Sequence, residues 1–136
     1  MDIVNDVINL KTQHGLLESD ATYSKQVEWY KFLLENNMLT TVYKDSKLCG
    51  FYEFIRLDRI PKTFSEFKSC ASDYISGKLV LVCNAISDCK ETMWELLKET
   101  RKRSIGATHC VWHNKKNDEV KVFQLNRRMY AANAQA

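Results

Sequence analysis

The sequence predicts an α/β fold, a mixed and mostly antiparallel sheet flanked by helices, on three observations. Two amphipathic helical stretches open the chain between Asp2 and Asn36. Two apolar runs, Met38–Tyr43 and Leu48–Leu57, then flank a short polar turn. A third apolar run, Lys78–Ile86, leads directly into a helical pattern, which is followed by two shorter strands.

The elements follow in order. Ile3, Val7 and Leu10 share one face of a helix over Asp2–Gln13, and His14-Gly15 stops it. Asp20 is placed to cap a second helix running to Asn36, with Tyr23, Val27, Tyr30 and Leu34 as its inner stripe. The polar turn Lys44-Asp45-Ser46-Lys47 joins the first two strands. In the second strand Phe51, Glu53, Ile55 and Leu57 alternate with Tyr52, Phe54 and Arg56, so both faces are largely apolar, as in a central strand. Pro61 marks a break, and Thr63–Tyr74 reads either as a helix or as an ordered loop. Met93, Leu96, Leu97 and Thr100 form the buried stripe of the later helix, with Trp94 at its edge and Gly106 at its C-terminus. Thr108–His113 and Glu119–Leu125 complete the sheet, the latter as a solvent-facing or edge strand.

Composition narrows the classes. The 136 residues are 45% apolar and 27% charged, which suits one domain over residues 1–136. The tail from about residue 126 is expected to fray. A net charge of +3 is too small to imply nucleic-acid binding. Lys98, Arg101, Lys102 and Arg103 suit a helix C-terminus, and Trp112 and Phe123 read as core residues rather than stacking platforms. Five cysteines without a C-x-x-C pair, behind an acidic opening with no leader pattern, point to reduced thiols in a cytoplasmic protein. Cys49, Cys83 and Cys110 sit within apolar strands and read as small core residues. No apolar run approaches the roughly 20 residues of a membrane span.

The hairpin TTVYKDSKLCGFYEF and the segment KLVLVCNAISDCKETMWELLKETRKRSIGATHCVWH, in this order of elements, resemble the GNAT (acyl-CoA N-acyltransferase) superfamily over roughly residues 2–125. The chain is also similar to short GNAT-like proteins carried by phages and mobile elements. The resemblance implies a GNAT-like sheet and an N-acetyltransferase that takes acetyl-CoA and an amine acceptor. It places the cofactor along Cys83, Asn84, Ala85 and Ile86 and at the helix start around Asp88, Cys89 and Lys90.

The family's loop there reads Arg/Gln-x-x-Gly-x-Gly/Ala and wraps a pyrophosphate with backbone N–H groups. Here Ser87–Thr92 holds neither glycine nor arginine. Asp88 and Glu91 have capping-box spacing and would repel a pyrophosphate, with Lys90 the one compensating cation. This predicts a self-sealed helix start and weak or no acetyl-CoA binding. Two functions therefore stand: an acyl-CoA-dependent N-acetyltransferase with a degenerate loop, or a GNAT-like protein without catalysis or cofactor that grips a protein partner or a second copy of itself.

The family's helix after the splayed strand, which often carries a proton-donating tyrosine, is missing from the pattern. Tyr130 and Tyr74 are the substitutes nearby in sequence. Glu53, amid aromatics, is the candidate general base for an amine, against the reading of a solvated strand residue. Asn84 either lines the cofactor or pins a bulge. His109 and His113, four apart on a strand, lie about 13 Å apart and do not suggest one metal ion. His113 reads either as a general base or as a hydrogen-bonded strand end.

Overall fold

A computed structural model of the chain describes residues 2–16, 22–114 and 118–125. Helix α1 (Ile3–Gln13) begins where Asp2 accepts from the backbone N–H of Asn5, and α2 (Tyr23–Glu35) where Thr22 accepts from that of Lys25. The anticipated cap Asp20 lies outside the described residues. Asn37 ends α2 in the left-handed region, at φ 59°, and the Met38 N–H returns to the Leu33 carbonyl at 2.8 Å.

Strands β1 (Leu39–Lys44) and β2 (Lys47–Leu57) form a hairpin. Its turn is only Asp45-Ser46, with φ of 51° and 63°. Two successive positive φ values match the right-handed twist of the strands. The segment after Pro61 is a 3-10 helix, Phe64–Cys70, rather than an α-helix. Then come β3 (Leu79–Ser87), α3 (Lys90–Arg103), β4 (His109–Asn114) and β5 (Glu119–Gln124). The sheet runs β1-β2-β3-β4-β5, antiparallel except for β3 with β4, which agrees with the sequence expectation.

Two layers cover the central strands. On one side Phe51 meets Tyr30 of α2 edge-on, and Val7, Ile8, Tyr30 and Leu33 are buried. On the other, Thr40 and Thr100 share a hydrogen bond, and Leu96 is fully buried. Phe51, Phe54, Ile55, Leu57 and Leu81 are all within 1% of full burial, so the two-sided apolar pattern of β2 is a sandwiched strand. Three expectations fail at the edges. Trp112 and Phe123 are 37% and 55% exposed, because β5 is an edge strand. Among the cysteines only Cys70 is fully buried, while Cys83 and Cys110 are half-buried against the core. Cys49 and Cys83 are the extra residues at two register shifts, where two residues of the bulged strand oppose one of its neighbour.

Gly50 lets α3 seat on β2. A Cβ there would lie 2.7 Å from the Ile86 carbonyl oxygen and 2.8 Å from Thr92 Cγ2. The carbonyl belongs to the neighbouring strand and cannot yield without breaking the ladder. Gly50→Ala is expected to lower unfolding free energy by about 1–3 kcal/mol, read as a lower denaturant midpoint at unchanged slope. An unchanged midpoint would mean that α3 rides freely on the sheet.

Candidate functional site

The site is organised by one extra residue. Glu53 pairs with Asn84 across β2 and β3, but Phe54 pairs with Val82, so Cys83 stands as a bulge in β3. A bulge bends its strand and re-aims the next side chain. Here Asn84 donates from Nδ2 to Glu53 Oε1 at 3.0 Å. The bulge also marks where β3 leaves β4: the parallel pairing ends at Val82 with Trp112.

Glu53 is not a solvated strand residue. It is only 3% exposed. Adjacent residues of α2 complete its environment: Tyr30 donates its O–H to Oε1 at 2.7 Å, and Trp29 donates Nε1–H to Oε2 at 3.0 Å. Oε1 thus accepts two bonds and Oε2 one, which leaves acceptor capacity on Oε2. Neither Trp29 nor Tyr30 was singled out in the sequence as more than helix stripe or filler. Their adjacency opposite a mid-strand carboxylate was the available signal.

Two cavities meet at the bulge. One, of 540 Å³, lies under α1, α2 and the 3-10 helix; Glu53, Trp29, Tyr74, Cys83 and Asn84 line it. The other, of 320 Å³, occupies the opening between the diverging strands; Cys83, Asn84, Ala85, Trp112 and His113 line it. Cys83 and Asn84 belong to both. Three of the cofactor residues expected from sequence, Cys83, Asn84 and Ala85, thus gather at the strand opening, while Ile86 is buried in the core. Tyr130 lies outside the described residues. Tyr74 faces the larger cavity.

His113 closes the opening from the β4 side. Its ring stacks on Phe64 at 4.2 Å between centroids, and its Nε2 pairs with Asp118 Oδ1 at 2.8 Å. A carboxylate there accepts an N–H, which assigns the proton to Nε2 and leaves Nδ1 buried without a partner. The sequence offered a hydrogen-bonded strand-end histidine as one of two readings, but not the stacking on Phe64 that fixes the ring.

The start of α3 corrects the expected capping box. The N-cap is Cys89, and no side chain caps the first turn. The ladder is the reason: β3 stays paired through Ser87, and the Asp88 N–H reaches the Cys49 carbonyl at 3.0 Å, so Asp88 still belongs to the sheet edge. Its carboxyl is held below the usual range, first by the Thr92 side chain and then by the Cys49 and Cys89 thiols and Lys44, against the desolvation that opposes them. The helix start is therefore not self-sealed, although a carboxylate stands beside it.

No family model and no curated protein matches the chain. Two solved structures share its fold. One is the GphF GNAT-like decarboxylase in complex with isobutyryl-CoA, with TM-score 0.56, 10% identity, 82% of this chain and 62% of that chain covered. The other is the loading GNATL domain of CurA from Lyngbya majuscula, with TM-score 0.55, 16% identity, and coverage of 82% and 59%. The fold is GNAT-like, and the chain spans about three-fifths of the length of these two structures.

Two outcomes test this geometry. Glu53→Gln turns an acceptor oxygen into a donor that faces Trp29, Tyr30 or Asn84, and is expected to cost about 1–3 kcal/mol in urea unfolding. A melt that overlays the parent would remove Glu53 from the organising position. Burial pushes the Cys110 thiol up to about 11, whereas Cys89 is exposed. Iodoacetamide at pH 8 is therefore expected to modify Cys89 well before Cys110 in a peptide-resolved time course. The reverse order would contradict the packing of β4.

Proposed function

We propose that the chain is a GNAT-type acyl-CoA-dependent N-acyltransferase with a weakened pyrophosphate grip. One observation carries this reading: two cavities, one ending at a buried carboxylate and one in the gap between diverging parallel strands, meet at Cys83 and Asn84. Acyl transfer needs that topology, with an acceptor and a thioester approaching one point from different sides.

In this reading the acyl-CoA arm lies in the strand opening, along Cys83, Asn84 and Ala85. An acceptor amine enters the larger cavity as the free base. Its nitrogen attacks the thioester carbonyl carbon and passes one N–H proton to Glu53 Oε2 as the carbon–nitrogen bond forms, and the carbon–sulfur bond breaks. The departing thiolate takes a proton from solvent at the strand opening, and Glu53 returns its proton to solvent. Asp118 accepts from His113 Nε2 and so holds the ring at the mouth of the opening. Glu53 is the base, and solvent stands in for the tyrosine acid that the family's missing helix would carry.

The loop sets the affinity. The uncapped α3 start favours an anion, but Asp88 remains ionised beside it and no glycine lets backbone wrap a diphosphate. CoA is expected to bind with a dissociation constant of about 10–100 µM in calorimetric titration, with most of the free energy from the pantetheine arm. Asp88→Asn is expected to tighten it by about two- to fivefold. Failure of CoA to bind at millimolar concentration would end this reading. Binding without acetyl transfer to any amine in a thiol-release assay would favour the rival, a GNAT-like binding protein without catalysis.

A further inference from the structure

Lys11 is the anomaly of the interior. It lies in the last turn of α1 and is only 4% exposed. Lysines are almost never that buried without an anion. Its ammonium donates to Gln26 Oε1 at 3.3 Å and sits 5.1 Å above the Tyr30 ring. Neither partner carries a charge. The ion pairs among the described residues lie elsewhere, at Glu99 with Lys102 and Arg103 and at His113 with Asp118. A helix C-terminus favours a cation on the surface. That does not explain an ammonium withdrawn from water with no counter-charge among the described residues.

The 540 Å³ cavity supplies the explanation. Lys11 lines it, together with Lys25 and Lys68, and Glu53 is the one carboxylate among the described lining residues. Glu53 already receives three neutral donors, so it does not neutralise the lysines by contact. The cavity thus holds a carboxylate and, on the Tyr30 ring, an ammonium with no ion pair among the described residues. Tyr30 fixes the spacing: its hydroxyl bonds Glu53 while its ring carries Lys11. A ligand that gives an amine to Glu53 and an anion to Lys11 must hold the two groups only a few atoms apart. Part of the remaining wall is aromatic, with Trp29 edge-on to Tyr74 at 6.1 Å and Phe67 beside Tyr74 at 6.3 Å, next to the polar Gln26, Ser65 and Asn84.

We infer that the acceptor is an amino carboxylate with an apolar or aromatic side chain, its carboxylate held by Lys11 and its amine by Glu53. This rests on the acyl-transfer reading for the fate of the amine, but the binding site stands on the lysine alone. Lys11 is a binding residue that selects the acceptor and takes no part in the chemistry.

Calorimetric titration of the full chain, with and without saturating CoA, tests it with three probes. These are L-phenylalanine, 2-phenylethylamine, which lacks the carboxylate, and 3-phenylpropionate, which lacks the amine. L-Phenylalanine is expected to bind about tenfold or more tighter than 2-phenylethylamine, the size of a hydrogen bond to a charged group. Lys11→Met is expected to reduce that ratio to about twofold or less and to leave CoA affinity unchanged, whereas Lys11→Arg keeps the preference. Lys11→Met is also expected to melt higher than the parent, because an unpaired buried charge is replaced by an apolar side chain of similar length. Equal binding of phenylalanine and phenylethylamine, no binding of any probe, or a preference that survives Lys11→Met would overturn the inference. So would a lower melting temperature, which would make Lys11 a structural residue. Absence of CoA binding alone would end the acyl-transfer reading and leave the amino-carboxylate preference to be read in the CoA-free titration.

Discussion

Cys83 is one residue too many in β3, and both halves of the site depend on that surplus. The bulge interrupts the register between Glu53 and Phe54 of β2, so that Asn84 faces Glu53 directly and bonds it. The same bend coincides with the end of pairing between β3 and β4. A regular strand would turn Asn84 to the other face of the sheet, because side chains alternate with period two. Glu53 would then lose one of its three donors, and the two cavities would lose a wall they share. The bulge is thus a local backbone feature that sets hydrogen bonding on one side and strand divergence on the other.

Burying charge is costly, and this interior buries two opposite ones by different means. Glu53 is solvated by the protein: a phenol, an indole N–H and an amide all point at it. Hydrogen bonds of this charge-assisted kind are the strong ones, and three of them offset much of the lost hydration. Lys11 receives only one amide oxygen and a ring face. The contrast separates a group with three hydrogen-bond donors from a group whose contacts among the described residues are one amide oxygen and a ring face.

Much of the fold was legible because it rests on period and punctuation. The alternation of Phe51, Glu53, Ile55 and Leu57 identified a central strand covered on at least one side, and the structure covers it on both. Asn36-Asn37 ended α2 as read, since Asn37 tolerates positive φ. The 3-10 helix stayed ambiguous because Phe64, Phe67, Ala71 and Tyr74 have helical spacing, yet only the first two lie within it. The site was less legible. A bulge was one of two readings of Asn84, but an apolar run does not show that Cys83 is the extra residue, so the two could be named without knowing that one displaces the other. Lys11 carried no signal at all. A lysine in the last turn of an amphipathic helix reads as solvated, and its burial depends on α2 and the Tyr30 ring, which are distant in sequence.

The misread capping box shows why local pattern loses to register at this point. Asp88 and Glu91 have the spacing for reciprocal capping, and an isolated peptide would have reason to use it. In the folded chain, however, the ladder between β2 and β3 reaches Ser87, and Cys49 takes the next backbone N–H. Asp88 is held by the sheet and the cap position passes to Cys89, whose side chain makes no cap bond. The first turn of α3 is left without a side-chain cap because the strand before it refuses to end. Extended pairing on the β2 side and lost pairing on the β4 side are then two aspects of one arrangement. β3 clings to β2 along its whole length and parts from β4 after Val82. The gap it opens is lined by Cys83, Asn84 and Ala85 and reaches the bulge where Asn84 meets the buried carboxylate of Glu53.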